Sequence, residues 1–166
     1  MLQLGVTYLW TAWIGGRPLP ATRSILSPEE AARAERFVFD RDRNRFVAGR
    51  GALRSLLAHY QGVEPREVVL EYSHYGKPFL PRELGRDQLE FNLSHSDDWA
   101  LIGITLGRRL GVDLERLRVL DDLEGLARTV FSRRELAELA EVPEPERTEA
   151  FFNCWTRKEA FIKACG

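Results

Sequence analysis

The chain is short of cysteine, of histidine and of excess charge, and each shortage closes off a class of function. Cys154 and Cys165 are its two cysteines, and no histidine stands at metal-ligand spacing from them. A disulfide scaffold and a zinc site are therefore not indicated, and a reducing compartment is expected. Lys and Arg number 24 against 25 Asp and Glu, a balance with no pull toward nucleic acid or anionic membrane. No apolar run approaches the ~18 residues of a spanning helix. The opening MLQLGVTYLWTAWIGG is apolar, but it lacks a basic leader and alternates like a strand. These features predict a soluble, cytoplasmic protein with no nucleic-acid or membrane partner. Neither GxxxxGKS/T nor GxGxxG occurs, which excludes a P-loop and a Rossmann fingerprint. No Ser-His-Asp or Cys-His arrangement has a usable local context.

What is present suffices for a core: 44% hydrophobic residues and four Trp in 166 residues fit one medium domain or two small lobes. Leu4, Val6, Tyr8, Trp10 and Ala12 repeat with period two and predict a strand over 4–13. Ser27-Pro28-Glu29-Glu30 is a helix start, with Ser at N-cap, Pro at N1 and Glu at N3, for a helix reaching about Phe39. Asp40 caps a second helix over about 41–60, ended by Gly62, with an inner stripe of Phe46, Leu53, Leu56, Leu57 and Tyr60. Its arginines, 41, 43, 45, 50 and 54, are either a solvated face or an anion-binding wall. Strands are expected at Val68–Tyr72, from Leu89 into Ser94-His95-Ser96, at Trp99–Leu106 and at Leu110–Leu117, with a turn at Tyr75-Gly76-Lys77-Pro78. Helices follow at Asp121–Val130 and from the Ser132–Glu135 capping box to about Glu141. Pro143 and Pro145 then break the chain before a last helix, FFNCWTRKEAFIKACG.

Three stretches carry chemistry. On the last helix Trp155, Glu159 and Lys163 follow one another at four-residue steps along one stripe. The pair Glu159 and Lys163 is either a surface ion pair or part of a site. In Gly111-Val112-Asp113-Leu114-Glu115, strand alternation sends Asp113 and Glu115 to one side. They are spare acids on an exposed face or ligands of Mg²⁺, a hard cation that takes carboxylates and keeps waters and phosphates, with Glu159 as a third acid. Ser94-His95-Ser96 is a packed strand end or a phosphate-binding turn. Lys77 adds a cation on a stiff turn. Acids for a metal beside Lys163, Lys77, His95 and helix arginines suit a polyphosphate substrate with Mg²⁺.

In order, YGKPFL, FNLSHSDDWA, GVDLE and FFNCWTRKEAFIKACG resemble the motif set of 4′-phosphopantetheinyl transferases of the surfactin-synthetase-activating type. The resemblance runs from about Ser27 to Gly166. It implies an α+β fold of two pseudo-symmetric lobes, each of antiparallel strands and packed helices, here 1–108 and 109–166, with coenzyme A in the cleft between them. It implies Mg²⁺-dependent transfer of the phosphopantetheine arm of coenzyme A to a serine of an apo acyl or peptidyl carrier protein, by a monomer. Asp113, Glu115 and Glu159 are the implied metal ligands, and Asp113, Glu159 and Lys163 the implied catalytic residues. Glu159 would serve as general base and Lys163 would meet the diphosphate. His95 would contact a coenzyme A phosphate with Ser94 beside it. Tyr75, Gly76, Lys77 and Pro78 would form the nucleotide rim, and Arg45 would face the nucleotide.

Two departures stand out. Where bacterial relatives carry lysines after the Ser-Pro start, for the 3′-phosphate, this chain has Glu30 and Arg33. The family continues past the KACG-like segment into further strands, so the second lobe is expected to be incomplete, with an open sheet edge, exposed apolar surface and reduced stability, self-association or lost activity. A non-catalytic coenzyme A or carrier-protein binding remnant and an unrelated Mg²⁺-dependent phosphoryl enzyme are the competing readings. Carrier contact is expected near Val119–Glu141, around Phe131 and Leu136.

Overall fold

A computed structural model describes residues 2–74, 76–81 and 89–166. Its elements in order are β1 (Thr7–Trp13), α1 (Pro20–Ser24), α2 (Pro28–Glu35), α3 (Asp40–Gln61), a 3₁₀ turn (Pro65–Glu67), β2 (Glu71–Tyr72), β3 (Pro78–Phe79), β4 (Leu89–Ser96), β5 (Trp99–Leu106), α4 (Leu123–Val130), α5 (Arg133–Glu141) and α6 (Glu144–Cys165). The fold is α+β. β1, β5 and β4 form an antiparallel sheet in that order, while β2 and β3 pair separately. Cross-strand partners share a face. Phe91 opposite Ile104 and Leu93 opposite Ile102 therefore present one apolar surface, and α3 covers it with Leu53 and Leu57. A second core gathers Ala127, Phe131, Leu139, Phe151 and Phe152 from α4, α5 and α6.

Local signals explain most boundaries. The Ser27 hydroxyl accepts from Glu30 N while the Glu30 side chain accepts from Ser27 N, a reciprocal cap. Ser132 and Glu135 repeat it at α5. Gly62 ends α3 in the left-handed conformation, φ 69°. Other boundaries move. β1 starts at Thr7 rather than 4, and α2 stops at Glu35, short of Phe39. Asp40 opens α3 from within; its N-cap is Phe39 and makes no side-chain cap. Val68–Tyr72 shrinks to the two residues of β2, because Val68 is drawn into the first core. α4 begins after Asp122, whose carboxylate caps Gly125 N.

The largest correction concerns α6. Pro145 does not break the chain but sits in the first turn of a helix that starts at Glu144, where a missing N–H costs nothing. Phe131 is 7% exposed, and Leu136 packs, partly buried, on the second core. No helix among the described residues is long and apolar enough to cross a membrane.

Candidate active site

The site is built on the face of β4 that α3 does not cover. Asn92, Ser94 and Ser96 alternate with Phe91, Leu93 and His95 and point away from them. Residues 110–116 lie across this polar row. The amide of Val112 donates to Asn92 Oδ1 (2.9 Å), that of Leu114 to Ser94 Oγ (3.2 Å) and that of Arg116 to Ser96 Oγ (3.0 Å). Return bonds run from Ser94 Oγ to Asp113 Oδ1 (2.9 Å) and from Ser96 Oγ to Glu115 Oε2 (3.1 Å). The stretch expected as a strand at Leu110–Leu117 is thus no member of the sheet; short polar side chains replace the carbonyls of a ladder. Asp113 and Glu115 both meet hydroxyls from one face of β4. Ser94 and Ser96 belong to β4 itself rather than to a phosphate-binding turn. The reversal comes at Asp97, at φ 49°.

Gly111 lets α6 close over this ribbon. A Cβ there would collide with the Ala160 carbonyl and stand 2.5 Å from Ala164 N. That contact brings Lys163 over the acids: its ammonium donates to Asp113 Oδ1 (2.5 Å) and Ser94 Oγ (3.0 Å). Lys163 is therefore paired with Asp113 across the fold, not with Glu159 one turn away. Trp155 stacks on Phe151 at 6.0 Å and anchors the same helix in the second core. Lys77 donates to the carbonyl of Lys163 and, at 3.5 Å, to that of Leu110; burial pushes its pKa down. Its side chain thus tethers the end of α6 to the start of the acidic ribbon. The turn carrying it needs Gly76, whose φ is 78°. Tyr75 lies outside the described residues.

Beside this cluster opens a cavity of about 640 Å³. Lys77, His95 and Lys163 line it together with Arg33, Arg45 and Arg50, and Gly76 and Pro78 contribute to the rim. His95 is exposed. Arg45 reaches the wall but is held by Asp98, with Nη2 and Nε at 2.7 and 3.0 Å from Oδ1.

Sequence reasoning missed the buried charges behind this wall. Glu30, only 2% exposed, accepts from Arg54 Nε at 2.5 Å, and Arg54 also donates to the carbonyls of Pro65 (3.0 Å) and Val68 (2.9 Å). Arg50 lies one turn earlier, 3.9 Å from Glu30, between the rings of Phe46 and Tyr72 at 5.7 and 5.5 Å. Burial lowers its pKa, partly offset by Tyr72 and Glu30. A signal existed: 47, 50, 54, 58 and 61 fall on one helical stripe, and all five are buried.

Among the described residues Asp113 Oδ2 is buried and has no partner. A hard cation satisfies such an oxygen, and Mg²⁺ commonly takes one or two carboxylates with water and phosphate. Asp113 with Glu115 fits that donor set. Among the described residues no three His, Cys, Asp or Glu side chains are grouped to hold a metal ion.

Comparison with known proteins agrees with this geometry. Residues 17–105 match the family described as 4′-phosphopantetheinyl transferase, N-terminal, and residues 109–166 match the 4′-phosphopantetheinyl transferase superfamily. The chain is 48% identical to 4′-phosphopantetheinyl transferase HetI of Nostoc sp. over 86% of its own length and 60% of that protein's. It is 38% identical to protein slr0495 of Synechocystis sp., over 90% and 61%. It is 29% identical to 4′-phosphopantetheinyl transferase Sfp of Bacillus subtilis, over 86% and 61%. The chain thus spans about three fifths of the length of these relatives. Both halves of the sequence lead to one conclusion: this chain belongs to the 4′-phosphopantetheinyl transferases of the surfactin-synthetase-activating type.

Proposed function

We propose that the chain transfers the 4′-phosphopantetheine group of coenzyme A to a serine hydroxyl of an acyl or peptidyl carrier protein, with Mg²⁺. The observation that carries this is the union of Asp113, Ser94 and Lys163 beside a cavity rich in cations. Phosphoryl transfer asks a protein mainly for positioning and charge neutralisation. In this reading the serine oxygen forms a bond to the phosphorus that carries pantetheine. The bond from that phosphorus to the bridging oxygen breaks, and adenosine 3′,5′-bisphosphate leaves. The serine proton passes to a carboxylate, for which we assign Glu159 on α6. Lys163, once drawn from Asp113 to the ligand, would offset charge on the leaving oxygen. Asp113 and Glu115 would hold Mg²⁺, which when bound supplies neutralisation of the diphosphate. Ser94, saturated by its three partners, positions Asp113 and Lys163 rather than touching substrate. The unpaired thiols of Cys154 and Cys165 are in keeping with a cytoplasmic setting.

The test mixes the chain with coenzyme A, Mg²⁺ and an apo carrier protein and follows the mass of the carrier. A gain of one phosphopantetheine group is expected, and Asp113→Ala should abolish it while preserving the circular dichroism spectrum. A variant that works at the wild-type rate would defeat the assignment of Asp113. Saturable coenzyme A binding with no gain on any carrier would favour a binding module instead.

A further inference from the structure

Asp113 and Lys163 form the one ion pair among the described residues that joins the acidic ribbon to α6. The partners differ in mobility. The Asp113 side chain is 5% exposed and that of Lys163 32%. Asp113 Oδ1 is filled, by the Ser94 hydroxyl (2.9 Å) and the Lys163 ammonium (2.5 Å), while Oδ2 is buried and has no partner among the described residues. Ser94 gives its single hydroxyl proton to Asp113, so its lone pairs take Leu114 N and Lys163. Asp113 is thus a fixed, buried carboxylate. Lys163 carries its charge on a flexible stem and lines the cavity. Its backbone is pinned, because Lys77 donates to its carbonyl, so a change of partner asks only the side chain to turn. A buried carboxylate needs a cation, and among the described residues Lys163 is the one ion-pair partner of Asp113.

We infer that Lys163 is an exchangeable counter-ion of Asp113: it holds the carboxylate until a divalent cation takes it over, and the freed ammonium turns into the cavity toward an anion. This rests on the proposed reading of Asp113 as a metal ligand and of the cavity as an anion site. Asp113 cannot serve both cations at full strength, since an ammonium and a dication on one carboxylate repel each other in a desolvated place. The exchange leaves no charge bare. Asp113 passes from one cation to another, and Lys163 passes from a carboxylate to a phosphate oxygen, a charge-assisted bond of the same kind. Cation and anion therefore favour each other through one side chain, and by linkage the effect is mutual. Either ligand alone has to break the pair unaided, so each binds below its intrinsic strength.

The chain has three lysines, Lys77, Lys158 and Lys163, each hydrogen-bonded. Ammonium NMR of lysine-labelled protein can therefore follow them singly, with Lys163→Arg to assign the third. On titration of the wild type with Mg²⁺ alone, the Lys163 signal should shift and weaken as the ammonium leaves Asp113 for solvent, while those of Lys77 and Lys158 hold. Lys163→Met removes the competitor. Its affinity for Mn²⁺ alone, read by electron paramagnetic resonance, should exceed that of the wild type by about 5- to 150-fold, the usual range of coupling between sites. The NMR arm uses the wild type and so decides the matter even where Lys163→Met fails to fold. A Lys163 signal that stays put in a chain saturated with Mg²⁺, or a Mn²⁺ affinity of Lys163→Met no higher than wild type, overturns the exchange and leaves the proposed function standing. If wild type and Lys163→Met both fail to bind Mn²⁺ at millimolar concentration, or Asp113→Asn binds it as the wild type does, metal binding at Asp113 is overturned, and this inference with it.

Discussion

Ser94 shows what a single small side chain can organise. It accepts from Leu114 N and contacts both Asp113 and Lys163, so its removal would strand a backbone amide and free two charged groups. Ser94→Ala is expected to lower unfolding free energy by about 1–3 kcal/mol, measured by urea denaturation. Transfer should fall by about 10- to 100-fold, as for other residues that orient site ligands. At this scale the sequence was partly legible. Alternation alone brought Asp113 and Glu115 to one side, and spacing alone put Lys163 on the helix that meets them. Arg45, expected to face a nucleotide, lines the cavity and also pairs with Asp98, a partner distant in sequence that leaves no local trace. Arg50 and Arg54 were legible only as charges on a basic helix, since inward-facing arginines betray themselves only once the apolar stripe is drawn through them.

Elements were more readable than contacts. The reciprocal caps at Ser27 and Ser132, the glycine end of α3 and the alternation of β4 follow from local chemistry. The extent of α6 did not, because proline is read as a breaker unless its place in the first turn is recognised. The ribbon at 110–116 also escaped, since nothing local distinguishes an extended segment bonded to side chains from one bonded to carbonyls. Gly111 seats that ribbon on α6, and Gly111→Ala is expected to lower the melting temperature by several degrees and to weaken transfer, as the collision with the Ala160 carbonyl pushes Lys163 off Asp113. Differential scanning fluorimetry with the carrier assay would check both. Glu135 links α5 to α6: Lys158 donates to it at 2.7 Å, and its pKa is lowered to about 2, first by that bond and then by the Ser132 bonds. A carboxylate whose folded pKa is depressed contributes stability above its unfolded value of 4.5 and loses it as pH falls toward 2. Glu135→Gln should therefore melt below wild type at pH 7, with the gap closing between about pH 4.5 and 2; a gap independent of pH would contradict this.

Across the whole molecule, two apolar clusters are joined through the ribbon and α6, and the candidate site lies at their junction. The sheet is less well covered on the face that carries the ribbon, toward β1. Leu9 is 61% exposed, Trp13 63% and Trp99 50%, and Trp13 pairs with Trp99 across β1 and β5. An apolar face with two tryptophans on antiparallel strands favours self-association. Sedimentation velocity of this chain is expected to show mass rising with concentration, and Trp13→Ser with Leu9→Ser should return it to the monomer without loss of coenzyme A binding. The tryptophans were visible in the sequence. Their exposure was not, because period-two alternation says which residues share a side of a strand and not which side is buried.

The side-chain bonding of the ribbon has an evolutionary corollary. Asn92, Ser94 and Ser96 act as hooks, together catching every second amide of 112–116, one apiece, so the reading frame of the acids is written on a strand some twenty positions upstream. Losing one residue from either stretch would turn Asp113 and Glu115 toward the wrong side at a stroke. The two stretches can therefore tolerate exchange of letters but not a change of count, and must lengthen or shorten together or not at all.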